Sequence, residues 1–64
     1  MKENEDLKPG DLVRWKFDIN NSMLDVRIVL KVYIEKGEKY LDLWSIEEQK
    51  KYYKHRITYF KEAT

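Results

Sequence analysis

The chain has 64 residues, 13 Lys and Arg against 12 Asp and Glu, one histidine and no cysteine. A domain of that size buries only about 60% of the surface its unfolded chain exposes, so a second domain has no room. A disulfide framework and a thiolate metal site are excluded, His55 has no second imidazole to share a metal, and a net charge of +1 argues against gripping nucleic acid by overall charge alone; we expect no cofactor and no metal.

The opening MKENED is charged and precedes no apolar run of signal-peptide or membrane length, so residues 1–6 read as a mobile terminal segment ahead of one domain over residues 7–64. No membrane association and a cytoplasmic location follow as expectations. Next comes LKPGDLVRW, in which Pro9 fixes its own backbone and Gly10 permits positive φ, the composition of a turn that launches an extended segment. Val13, Trp15, Phe17 and Ile19 alternate with Arg14, Lys16 and Asp18, a first strand ending at the polar loop Asn20 to Ser22.

The strongest pattern is LDVRIVLKVYIE. Leu24, Val26, Ile28, Leu30, Val32 and Ile34 alternate with Asp25, Arg27, Val29, Lys31, Tyr33 and Glu35, which is period two with one buried face, and the β-branched content favours a strand over a helix. Gly37 in EKGE marks a tight hairpin. With the turn centred on Lys36 and Gly37, Leu30 faces Leu43 and Val32 faces Leu41, while the opposite face pairs Tyr33 with Tyr40 and Lys31 with Asp42. The expected core therefore includes Val13, Trp15, Val26, Ile28, Leu30, Val32, Leu41 and Leu43.

The last third admits two readings. Ser45 with Glu48 fits a capping box opening a short helix, whereas Tyr52, Tyr53, Ile57, Thr58, Tyr59 and Phe60 suit strands. The preferred arrangement is a hairpin loop over Ile46 to Glu48, a strand over Gln49 to Lys54, one helical turn at His55 to Ile57, and a last strand over Thr58 to Lys61.

Five short strands in about sixty residues, the second long enough to serve both halves, describe a small barrel or two packed sheets, and closure hides strand edges. The segments KPGDLVRW, LWS and YY resemble small Src-homology-3-like (SH3-like) barrel proteins, many of them phage-encoded and functionally uncharacterised. The resemblance spans residues 7 to 62 and implies an all-β, five-stranded SH3-like barrel with one short helical turn before the last strand. A phage origin would put the chain in the host cytoplasm. Such sequences often carry a glycine in the second strand and another after the Trp-Ser pair. Neither is present here, which implies a longer or differently turned loop after Ser45.

Nothing suggests an enzyme. His55 has no partner placed by spacing and reads as a surface or turn residue in a basic stretch, and two glycines cannot make a phosphate loop. Two surfaces remain. If Leu30, Val32, Leu41 and Leu43 point inward, Val29, Tyr33, Tyr40 and Trp44 point outward as an aromatic patch for a protein partner or for self-association. The alternative occupant of such a patch is the domain's own terminal segments. The second surface is KKYYKHR, where Lys50, Lys51, Lys54 and Arg56 interleave with Tyr52 and Tyr53, a composition that can join phosphate attraction to base stacking and makes nucleic acid the other candidate partner. A solvated strand edge, its lysines opposing aggregation, is the plain reading of the same run.

Overall fold

A computed structural model describes residues 6–17 and 26–63. It is all-β: five antiparallel strands form one sheet, with β1 at Leu12–Trp15, β2 at Arg27–Glu35, β3 at Glu38–Ser45, β4 at Lys50–Arg56 and β5 at Phe60–Glu62. The order across the sheet is β4-β3-β2-β1-β5, so the chain meanders through four strands and returns to place β5 beside β1. A 3-10 turn, Ile57–Tyr59, joins β4 to β5.

The Pro-Gly entry turn forms as its composition requires. The Asp11 N–H donates to the Lys8 carbonyl at 3.1 Å, the Asp11 carboxylate accepts the Lys8 N–H at 3.0 Å, and Gly10 takes φ 94°. Pro at the second position and positive φ at the third are the type II pattern. The turn then locks onto β2, because the Gly10 N–H donates to the Val29 carbonyl and the Val29 N–H to the Asp11 carbonyl. At the other end of β2, Lys36 and Gly37 both have positive φ, 53° and 80°, as a two-residue type I′ hairpin demands.

The long strand departs from strict alternation. Tyr33 opposes Tyr40, Val32 opposes Leu41 and Lys31 opposes Asp42, as the turn position implies, but Val29 rather than Leu30 opposes Leu43. A bulge between Val29 and Lys31 inserts one extra residue, Leu30, and reverses which parity faces the core. Val29 is consequently 1% exposed and Leu30 41% exposed. This corrects the outward placement of Val29 and the inward placement of Leu30. Ile28 pairs with Trp44 and so leaves the expected core, and Trp15, at 40% exposure, leaves it too.

The core is Leu7, Val13, Val29, Leu41, Leu43, Ile57 and Phe60, with Val32 and Tyr52 packed against it. Val26 is also buried. Fully burying side chains of this kind stabilises by roughly 1.5–3 kcal/mol each, so seven of them are a large share of what a small domain has.

After Ser45 the chain makes one α-turn, not a helix: the Gln49 N–H donates to the Ser45 carbonyl, the Ser45 hydroxyl accepts the Glu48 N–H, and Gln49 takes φ 55° before β4 begins. The helical turn falls two residues later than expected, and His55 lies inside β4, half-buried. The first strand stops at Trp15. Ile19, the loop Asn20 to Ser22, Leu24 and Asp25 lie outside the described residues, as do residues 1–5 of the terminal segment.

Candidate interaction surface

Strand pairing sorts the surface into rows. On the face turned away from the core, Leu12 pairs with Ile28, Ile28 with Trp44 and Trp44 with Lys51, an apolar row crossing three strands and ending on a lysine. Leu12 is 37% exposed, and Ile28 and Trp44 are partly exposed. Lys31 and Asp42 form the next row, Tyr33, Tyr40 and Arg56 the one after, and Glu35 and Glu38 close the hairpin.

The tyrosine rows are tied down. The Tyr33 and Tyr40 rings stack with centroids 6.0 Å apart, the Tyr33 hydroxyl donates to Asp42 Oδ1 at 3.0 Å, and the Tyr40 hydroxyl donates to Glu38 Oε2 at 3.1 Å. Burial and the bond to Asp42 push the Tyr33 phenol above its ordinary pKa. Lys54 Nζ pairs with Glu35 at 3.2 Å and Arg56 Nε with Glu38 at 3.3 Å. Asp42 Oδ1 also accepts the backbone N–H of Lys54 at 3.0 Å, where a second bulge sets Tyr53 and Lys54 opposite one β3 residue and Lys54 adopts φ 57°.

Of the four residues expected to bind protein, Tyr33, Tyr40 and Trp44 therefore share one face, and Val29 is beneath it. The basic-aromatic run is divided by strand alternation and by its bulge. Lys51 stands on the outer face beside Trp44, whereas Tyr52 and His55 oppose Leu43 and Leu41 on the core side. Tyr53 is 66% exposed. Lys54 and Arg56 are engaged by carboxylates, and the Tyr52 hydroxyl donates to Glu48. His55 packs edge-on against Tyr52 and Phe60, and burial, then the charge of Arg27, lower its pKa.

A cluster that sequence reading did not single out lies on β1 and the 3-10 turn. Trp15 contacts Phe17, Tyr59 and Phe60 at centroid distances of 6.1, 5.7 and 5.5 Å, and Phe60 alone of these is fully buried. Trp15 and Phe17 do alternate with charged residues, but so would core positions. Only the shortness of β1 separates the two cases, and composition carries no signal for it.

Among the described residues no group of three or more His, Cys, Asp or Glu could hold a metal ion, and no helix is long and apolar enough to cross a membrane. No protein-family model, no curated protein and no solved structure matches this chain.

Proposed function

We propose that this chain is a non-enzymatic interaction module, an SH3-like barrel that binds a protein partner or a second copy of itself through the outer face of β1, β2 and β3. The observation that carries the reading is the row Leu12, Ile28 and Trp44, apolar, continuous across three strands and turned away from the core. Interfaces are built around apolar centres with polar rims, here Lys51, Lys31 and Asp42.

Geometry supports the barrel. Strands β4 and β5 are opposite ends of the sheet order, four inter-strand spacings apart, or about 19 Å if the sheet were flat. The three residues of the 3-10 turn advance the chain only about 6 Å. A sheet curled until its ends approach resolves the mismatch, and the His55 and Phe60 rings meet across that gap at 5.8 Å.

Trp44→Ala tests the function. The folded domain should survive with unchanged amide chemical-shift dispersion while self-association, read as hydrodynamic mass across a concentration series, or capture of a partner is lost. Unfolding would make Trp44 a structural residue and remove the row as a binding surface.

Nucleic-acid binding is the second reading, and the observation in its favour is that Lys50, Lys51 and Tyr53 stay exposed on β4. The ion pairs of Lys54 and Arg56 with Glu35 and Glu38 reduce the charge it can draw on.

A further inference from the structure

The outer edge of β4 is unpaired. Among the described residues β4 pairs with β3 alone and β5 with β1 alone, so no ladder joins the two ends of the sheet order. They touch where the chain passes from one to the other, with the His55 ring against Phe60. Lys50 lies about 17 Å along β4 from that contact, five residues at the rise of a strand. A strand spends half of its backbone N–H and C=O groups on each neighbour, and on this side Lys50 to Tyr53 have no neighbouring strand among the described residues. The bulge at Tyr53 and Lys54, where the Lys54 N–H donates to Asp42, ends the regular stretch.

Side chains along this edge choose its partner. The strand carries Lys50, Lys51, Lys54 and Arg56 and no acidic residue. Lys50 and Lys51 are exposed, and among the described residues neither is paired with a carboxylate. A second copy of β4 is a poor match, because like charges directly opposite are destabilising. Antiparallel pairing about Tyr52 sets Lys50 against Lys54, pairing about Tyr53 sets Lys50 against Arg56, and pairing midway between them sets Lys51 against Lys54.

We infer that β4, over Lys50 to Tyr53, accepts an added strand from a protein partner, and that the added segment is extended and acidic. Strand addition takes affinity from main-chain hydrogen bonds and selectivity from alternate side chains. Counting gives the pattern. In the antiparallel sense the partner residues opposite Tyr53, Tyr52, Lys51 and Lys50 follow in that order: two β-branched residues, then two acidic ones. Alternation puts one carboxylate beside Lys51 on the outer face and the other beside Lys50 on the core side. The inference goes beyond the outer-face reading, since it uses the backbone of β4 and needs nothing from Leu12, Ile28 or Trp44.

The probe is an end-blocked peptide, Thr-Thr-Ile-Val-Glu-Glu-Thr, added to the nitrogen-15-labelled domain. The amide signals of residues 50–53 should shift saturably, and at alternate positions their exchange with solvent should slow severalfold. The same peptide with its edge-facing amides N-methylated keeps every charge and side chain and should lose binding. Lys50→Glu with Lys51→Glu, both exposed positions, should weaken the peptide about tenfold and transfer the preference to a peptide with Lys-Lys in place of Glu-Glu. Amide exchange that does not slow would overturn the inference. So would equal binding of the N-methylated peptide, which would reduce the edge to charge attraction, or slowed exchange at residues 50–53 on concentrating the free domain, which would assign the edge to a second copy. A mixed-sequence single-stranded oligonucleotide that shifts Lys50, Lys51 and Tyr53 where the peptide does not would overturn it in favour of nucleic acid.

Discussion

The bulge at Leu30 makes a quantitative demand that a regular strand would reverse. Val29 is 1% exposed and opposes Leu43, while Leu30 is 41% exposed and opposes no residue. Val29→Ala removes two buried methyl groups and leaves a cavity, a loss of roughly 2 kcal/mol or somewhat more. Leu30→Ala removes more carbon, but from a side chain already substantially in water, and should cost about 1 kcal/mol or less. A 64-residue domain has a total stability of roughly 3–10 kcal/mol and a urea m-value near 1 kcal/mol/M, so the first substitution should lower the urea midpoint by about 2 M and the second by less than about 1 M. Aspartate sharpens the contrast: Val29→Asp buries an unpaired carboxylate and should unfold the domain, whereas Leu30→Asp should leave it folded. In an uninterrupted alternation Leu30 would be the core residue and the order would invert. Urea titrations of the two alanine variants, followed by tryptophan fluorescence, decide it. A midpoint for Leu30→Ala at or below that of Val29→Ala would refute the bulge.

His55 has a folded pKa below its unfolded value near 6.5, so the unfolded chain binds the proton first; stability should hold above that pH, fall as pH drops through it, and level off once the folded form is also protonated. Denaturation of wild type and His55→Phe at several pH values checks this, and a slope that persists in the variant would assign the effect to another group. Lys36→Asn should raise stability by roughly 0.5–1 kcal/mol, since asparagine tolerates the φ of 53° better and completes an Asn-Gly type I′ turn; an unchanged or lower melting temperature would contradict the turn assignment. If nucleic acid binds through β4, its logarithmic salt slope should reflect Lys50 and Lys51, about −1 to −2, and Glu35→Gln with Glu38→Gln should steepen it by releasing Lys54 and Arg56; a wild-type slope of −3 or beyond would show that the ion pairs open on binding.

Most of the hairpin was legible in the sequence because a turn and a period determine it together. Gly37 fixes the centre of the β2–β3 turn, and from there Tyr33–Tyr40, Val32–Leu41 and Lys31–Asp42 follow by counting. The count fails at Leu30, since Leu24 to Ile34 contains no glycine or proline that could mark an irregularity. A bulge held by one distant segment, the entry turn whose Gly10 and Asp11 pair with Val29, leaves no local trace. The same blindness applies to β4. Its alternation is interrupted at Lys54 because Asp42, twelve residues away, accepts the Lys54 N–H.

Those two interruptions also decide how the candidate surfaces read. Counting without bulges gathers Val29 with the outward aromatics and treats KKYYKHR as one basic-aromatic ribbon. With them, Val29 joins the core, and Tyr52 and His55 turn inward while Lys51 remains outside. Charges that looked contiguous in sequence are thereby assigned to different partners: Lys54 to Glu35, Arg56 to Glu38, and Lys50 to the Tyr52 ring that Arg27 shares. The apolar row of Leu12, Ile28 and Trp44 is assembled from three strands. It could be found only after register was known, because Ile28 looks like a core residue in its own strand and becomes a surface residue through its pairing with Trp44. A surface of this origin has a specific vulnerability: a change that regularises the bulge, such as deleting Leu30, keeps Val29 opposite Leu43 and Lys31 opposite Asp42 and so spares the fold, but it alters the local twist that sets Ile28 against Trp44. Binding should then weaken while stability is retained, separating the recognition role of the outer face from the packing role of the inner one.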